Sequence, residues 1–378
     1  MKNTVIIGGG AAGMACAVHL GRAGYPVALL ERGGRLGRKL SATGNGQGNV
    51  TNQHMNADCY FSDDCEKVSD ALSRFGERDT VAFLQSMGGI FLPDGRGRVY
   101  PASRQASAVT DLFRRELSRL GIRICTDAQV LGVTYDGNFR IRWAGSDMRA
   151  DAVVLATGGK AAPNFGTDGN AYSLAQSFGH SITPLSPVLV QLKCDRENVR
   201  GLKGIRVDAL LRARRAQKEI ARERGDLLFT DSGISGDAVF RISSYAKEGD
   251  LIEVDLLPDI SEEELFRIMS ASSGEDCLLC VVNNGLGRTL YRRAEGNISR
   301  LAALLKRFPL TVRGTLGFEY AQATRGGIPL AETDKNFMSK KRDGLYFAGE
   351  ILNVDGICGG YNLQWAFTSA YCVAEAIK

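Results

Sequence analysis

Four short apolar blocks recur along the chain, and each is followed within two residues by glycine or a carboxylate. "TVII" (Thr4–Ile7) meets a knot of glycines, "PVALL" meets Glu31, "AVVLA" (Ala152–Ala156) meets Thr157-Gly158-Gly159, and "LYFA" (Leu345–Ala348) meets Gly349-Glu350. Unbroken apolar runs of this length predict buried parallel strands rather than half-exposed ones. Between the first two, "AAGMACAVHLGRAG" predicts a helix of small and apolar residues ending at Gly24. Helical spacing returns near "DTVAFLQSMG" and, with a clear polar face, in "ASAVTDLFRRELSRLG". The segments "IRICTDAQVLGVTYDG" and "FRIRWAG" read as antiparallel strands around an Asp136-Gly137 hairpin turn.

After "SPVLVQLKC" the pattern changes. Strands come first, then two helical stretches, "SEEELFRIMSAS" and "NISRLAALLKRF". The final stretch, with its own strand and a helix from about Tyr361 or Asn362, completes the opening strand–helix arrangement. The expected division is therefore an α/β domain over 1–189 that resumes at 317–378, with an inserted β-rich and helical domain over 190–316.

Composition adds one point to this picture. Of 378 residues 45 are glycine, about 12% against roughly 7% in average usage, and they cluster beside apolar runs where a backbone would approach a ligand. The net charge of +5 is mild and demands no nucleic acid. Nine scattered cysteines in a chain this long read as reduced thiols, and no apolar run reaches the ~18 residues of a membrane span. A cytoplasmic protein without membrane or nucleic-acid partners is expected.

Gly8, Gly10 and Gly13 spell G-x-G-x-x-G between a strand and a helix, and Glu31 ends the next strand. That context is the dinucleotide fingerprint, with the pyrophosphate on the helix N-terminus and the acid on the adenosine ribose. NAD and FAD share this half. Three later features favour the longer FAD: a glycine- and asparagine-rich cradle from Arg32 to Asn52, the Thr157-Gly158-Gly159 turn at the sheet edge, and a second helix start after Gly359-Gly360. The expected cofactor contacts are Gly8, Gly10, Ala11, Ala12 and Gly13 at the pyrophosphate, with Glu31 and Arg32 beyond. Lys39, Gly44, Asn45, Gly46 and Asn49 come from the cradle, and Val130, Thr157, Gly158, Gly349 and Glu350 from the strand ends. Gly359, Gly360, Tyr361 and Asn362 would place backbone N–H groups where a reduced flavin carries negative charge. Thr51 and Asn52 offer further polar partners.

The strings "GRKLSATGNGQGNVTN", "GRGRVYPASRQASAV", "ATGG", "LLFTDSGISG" and "LYFAGEILNVDGICGGYNLQWAF" together resemble the HI0933-like (YhiN-like) flavoproteins, end to end. The resemblance implies an FAD-dependent oxidoreductase, with a Rossmann-type domain built from both chain ends and interrupted by inserted modules. It also implies relatives as different as an aminoacetone or amine oxidase and a reductase of 3-oxo-4,6-diene bile acids. The chain departs from many relatives at Gln47-Gly48-Asn49, where they read R-C-N after a glycine, and at Asp231 and Asp237, where they carry His and Pro.

No side chain is singled out for catalysis by spacing alone. Cys358 beside the glycine pair, His54 after the cradle and Tyr100 in "GRVYPAS" are the candidates, whereas His19 and His180 read as packing residues. Cys277-x-x-Cys280 lacks a second ligand pair, so no metal is expected. The basic run Arg212–Gly225 alternates like a strand and reads as a solvated face. Three functions follow. One is a reductase that draws hydride from NADH or NADPH and acts on an unsaturated or carbonyl small molecule, a steroid-like enone among them. The second is an oxidase of a small amine, and the third is a flavin-binding sensor or RNA-associated protein. No second G-x-G-x-x-G serves a nicotinamide, so that donor would bind transiently.

Overall fold

The computed structural model describes residues 1–272 and 274–378. These form two compact units, Met1–Ser186 with Ala323–Lys378, and Pro187–Gln322. The second unit holds a few residues on either side of the expected 190–316, because its ends close on each other. Gln322 N–H donates to the Leu189 carbonyl at 3.2 Å and Leu316 N–H to the Gln191 carbonyl at 3.1 Å.

The first unit is built on a five-stranded parallel sheet in the order Leu345–Phe347, Ala152–Leu155, Thr4–Ile7, Val27–Leu30, Arg123–Cys125. The three central strands are buried at every position, as unbroken apolar runs require. Thr4 faces Ala152 on one side and Val27 on the other, so the carboxyl ends of all three strands finish level. That common edge is where open α/β sheets bind ligands. The helix Ala11–Arg22 packs against the C-terminal helix Tyr361–Ile377, which is why the two chain ends share one core.

One expectation is corrected. Arg123–Cys125 is not part of an antiparallel pair; it continues the parallel sheet, with Ala28 opposite Arg123. The amphipathic helix Ala106–Arg119 carries the chain back across the sheet, and such a crossover delivers a parallel strand to the free edge of Val27–Leu30. Only the second half of that segment, Val130–Tyr135, forms the hairpin with Phe139–Trp143.

The second unit contains a closed six-stranded barrel: Leu192–Cys194, Gly233–Ser235, Lys218–Phe229, Arg206–Arg215, Leu251–Asp255, Phe308–Thr315. The basic run lies on its long hairpin. Ala209, Leu211 and Ala213 face inward, and other arginines of the hairpin reach carboxylates, as in Arg215–Asp250 and Arg224–Asp259. Asp231 and Asp237 are spent similarly, on Lys203 and Arg241.

A buried imidazole in the first unit carries a stability prediction. His19 stacks on Phe83 at 4.3 Å, and among the described residues its Nε2 is sealed from solvent without a partner. Burial, with Lys378 and Arg22 nearby, pushes its pKa down to about 3. The unfolded chain takes up that proton near pH 6.5 and the folded one does not. Stability is therefore complete above pH 6.5 and falls toward pH 3, by up to about 1.4 kcal/mol per pH unit for this one group. His19→Phe keeps the stacked ring and removes the titration. Urea unfolding at pH 7, 5 and 4 should show a flatter profile for the variant; an unchanged slope would contradict this account.

Candidate active site

At the level edge of the sheet, the turn Gly8–Gly10 passes under the N-terminus of helix Ala11–Arg22. Gly13 lies so close to the turn that a Cβ there would sit 1.9 Å from the Gly8 carbonyl oxygen, and a Cβ on Gly8 would sit 2.4 Å from that of Ala156. Gly10 is different: a Cβ there would meet nothing within 4 Å. The helix has no side-chain cap, and the N–H groups of Ala11, Ala12 and Gly13 lie in its first turn, where an α-helix offers no acceptor. Open space, free donors and a helix dipole coincide, which is the chemistry of an anion seat.

Glu31 binds the turn to the cradle, accepting from Gly9 N–H at 2.8 Å and Gly33 N–H at 2.7 Å. A carboxylate has about four acceptor positions, so two remain for ribose hydroxyls. Glu31→Ala should lose both loop anchors along with the acceptors proposed for the ribose. Hydrogen bonds to a charged group contribute roughly 1.5–3 kcal/mol each, so FAD affinity should fall by at least tenfold in a fluorescence-quench titration; unchanged affinity would remove Glu31 from the site.

The cradle folds as a run of tight turns. Gly37 N–H donates to the Gly9 carbonyl and Gly48 N–H to that of Thr43. Gly44, Asn45 and Gly46 lie exposed at the tip, all with positive φ. Arg32 extends away to an ion pair with Asp168 at 2.8 Å, and Arg38 donates to the Asn164 carbonyl. Lys39 turns inward and meets Glu350 at 2.8 Å. The other Glu350 oxygen accepts from Thr324 N–H, and the Thr324 hydroxyl accepts from Lys160 and Ala161 N–H. Glu350 thus joins the cradle, the segment after Gly158-Gly159 and the strand end before Gly349. Val130 begins the strand just beyond Ala128, whose N–H donates to the Glu31 carbonyl.

The second helix start closes the site. A Cβ on Gly360, whose φ is +103°, would lie 2.5 Å from the Thr51 carbonyl oxygen and 2.8 Å from Asn49 Oδ1. Asn362 is held in place by reciprocal bonds with the Gly356 backbone, and Asn52 donates to the Gly359 carbonyl at 3.0 Å. These asparagines shape the turn, and the backbone N–H groups are what the turn presents. Gln364, wholly buried, accepts from the Thr51 hydroxyl at 2.6 Å, and Tyr60 donates to the Tyr361 carbonyl at 3.0 Å. Sequence reading passed over Gln364, Tyr60 and Thr324. An amide inside an otherwise apolar helix was the visible signal for the first; the other two offered none.

Of the catalytic candidates, Tyr100 and Cys358 are near enough to influence each other electrostatically, and His54 is exposed. Burial raises the Tyr100 phenol above its ordinary value; Asp94 and Cys358 act in the same direction, and Arg98 and Arg104 against it. The Arg104 guanidinium lies 4.1 Å from the centre of the Tyr100 ring. Tyr361 is also raised, by burial and then by Cys59 and Cys358, and its hydroxyl donates to the His54 carbonyl. The His54 ring is exposed beside Gly97.

Two buried oxygens within these elements have no partner among the described residues, Asn49 Oδ1 beside Gly360 and Thr157 Oγ1 after the strand Ala152–Leu155. With the empty space at Gly10, they are what a long polar cofactor bridging two helix starts would satisfy, so the residues present fit FAD. The fold and this site define a Rossmann-type FAD-dependent oxidoreductase.

The chain belongs to the HI0933-like family: the family model described as the HI0933-like protein Rossmann domain matches residues 2–376. It is 34% identical over 406 residues to a 3-dehydro-bile acid delta(4,6)-reductase of Clostridium scindens, covering 100% of this chain and 99% of that protein. It is 30% identical over 393 residues to a ribosomal RNA dihydrouridine synthase of Escherichia coli, covering 99% and 97%. Among solved structures it resembles in fold the 3-ketosteroid delta1-dehydrogenase of Sterolibacterium denitrificans, with a TM-score of 0.54 at 12% identity over 100% of this chain and 99% of that one. An open flavocytochrome c3 fumarate reductase gives 0.53 at 15% identity, over 100% and 78%. Among the described residues no helix is long and apolar enough to cross a membrane.

Proposed function

We propose that this protein saturates a carbon–carbon double bond conjugated to a carbonyl, with NADH or NADPH as the source of hydride. The observation that carries the reading is chemical. The bile-acid reductase and the dihydrouridine synthase differ in substrate, yet both names describe adding two hydrogens across such a bond, and each aligns with almost the whole chain.

A flavin held by the Gly8–Gly13 turn and Glu31 would supply the hydride-transfer chemistry. The chain supplies the rest. The first N–H groups of helix Tyr361–Ile377 balance negative charge. Glu350 and Lys39 neutralise each other and hold the cradle against the strand ends. Tyr100, kept protonated by burial, holds the proton at Oη for the carbon next to the carbonyl. Among unsaturated carbonyl compounds, a steroid-like dienone is the proposed substrate, since the bile-acid reductase is 34% identical.

A uracil ring in ribosomal RNA is the second reading, favoured by the two dihydrouridine synthases at 30% and 29% identity. An anaerobic experiment separates them. NADH or NADPH should bleach the oxidised flavin band, and a 3-oxo-4,6-diene steroid acid should restore it. Restoration by ribosomal RNA that lacks dihydrouridine, but not by the steroid, would move the assignment to RNA. A flavin that neither nicotinamide reduces would overturn the reductase reading.

A further inference from the structure

The second unit contains a cleft of about 450 Å³ lined by Lys193, Cys194, Asp195, Arg196, Ser232 and Arg313. Three of these six are cations, and among the described residues none of the three meets a carboxylate. Most other cations of this unit are ion-paired, Lys203, Arg206, Arg215, Arg224, Arg241 and Lys306 among them.

The placement has a local cause. Lys193 lies between Gly233 on one neighbouring strand and Gly314 on the other, so no side chain flanks it on either side. The register shifts between Lys193 and Cys194, whose partners are Gly314 and Val312, and Arg313 is left as the extra residue of a bulge. Bulges re-aim side chains. Arg196 opens the short helix Arg196–Val199 just beyond. Asp195, the one acid in the wall, is occupied: its carboxylate accepts from Thr311 N–H at 2.7 Å and from the Asn198 amide. With Asp195 counted, the wall carries a net charge of plus two, with two planar guanidiniums that match an oxyanion bidentately.

We propose that this cleft binds a phosphate or pyrophosphate group carried by a small molecule. A single phosphate suits the site better than a nucleic-acid backbone, because the long hairpin that would continue a phosphodiester track has arginines already joined to Asp250, Asp208 and Asp259.

The test uses the FAD-loaded protein and its Lys193→Gln/Arg313→Gln variant, with FAD content and melting temperature as controls. Inorganic pyrophosphate, titrated calorimetrically, should bind the parent and lose at least tenfold in affinity in the variant. Equal pyrophosphate binding by parent and variant, or none by either, overturns the phosphate site. If a ribosomal RNA fragment binds the parent and loses affinity in the variant, while pyrophosphate binds neither, the small-ligand assignment falls.

Discussion

Gly10→Val is expected to give a folded but colourless protein. The argument separates cofactor loss from misfolding. Gly10 has φ −80°, which any L-residue adopts, and a Cβ there touches nothing. The apoprotein should therefore tolerate the substitution, and its melting temperature should match that of apo wild type. With FAD bound, the same space is where the pyrophosphate is proposed to lie, and a branched side chain would block it. A loss of at least 100-fold in affinity, about 2.7 kcal/mol, is expected from absorbance of the purified protein and back-titration with FAD. Gly13→Ala serves as the contrast: its Cβ would lie 1.9 Å from the Gly8 oxygen, so it should lower the stability of the apoprotein itself. Stoichiometric FAD in Gly10→Val would refute the pyrophosphate placement.

Tyr100→Phe should divide the catalytic cycle in two. The ring, its packing and its contact with Arg104 all persist, and only the hydroxyl proton is removed. Bleaching of the flavin by the nicotinamide donor needs no proton from this residue and should change by less than twofold. Return of the oxidised band on adding the enone should slow by ~10²–10⁴-fold, the range for a lost general acid. Reoxidation at the parental rate would refute Tyr100 as the donor and direct the same measurement to Cys358→Ser and His54→Gln.

The nucleotide-binding turn could be read directly from the chain because its requirements are local. Strand, glycines, helix and Glu31 all fall within about thirty residues, and the steric demands at Gly8 and Gly13 are met by residue type alone. The helix at Tyr361 and the strand-like alternation of the run from Arg212 were legible for the same reason, since a period of 3.6 or 2 survives without knowledge of neighbours, but the turn that splits that run into two paired strands was not. Arg123–Cys125 was misread because three residues carry no period. Its partner, Val27–Leu30, becomes available only through a helical crossover.

The arrangement of side chains within the site is a different matter. Lys39 and Glu350 lie 311 positions apart, and Thr324, in a short strand of a separate two-stranded sheet, meets Glu350 only in the folded chain. The closure of the barrel by Phe308–Thr315, and with it the bulge that re-aims Arg313, depends on strand registers that no local pattern encodes. The chain alone determined which backbone can hold a dinucleotide, because that depends on backbone sterics and a short hydrophobic period. Only the tertiary structure decided which carboxylates are already paired, which oxygens are left without partners and where cations converge, because pairing energies depend on distances between segments far apart in sequence.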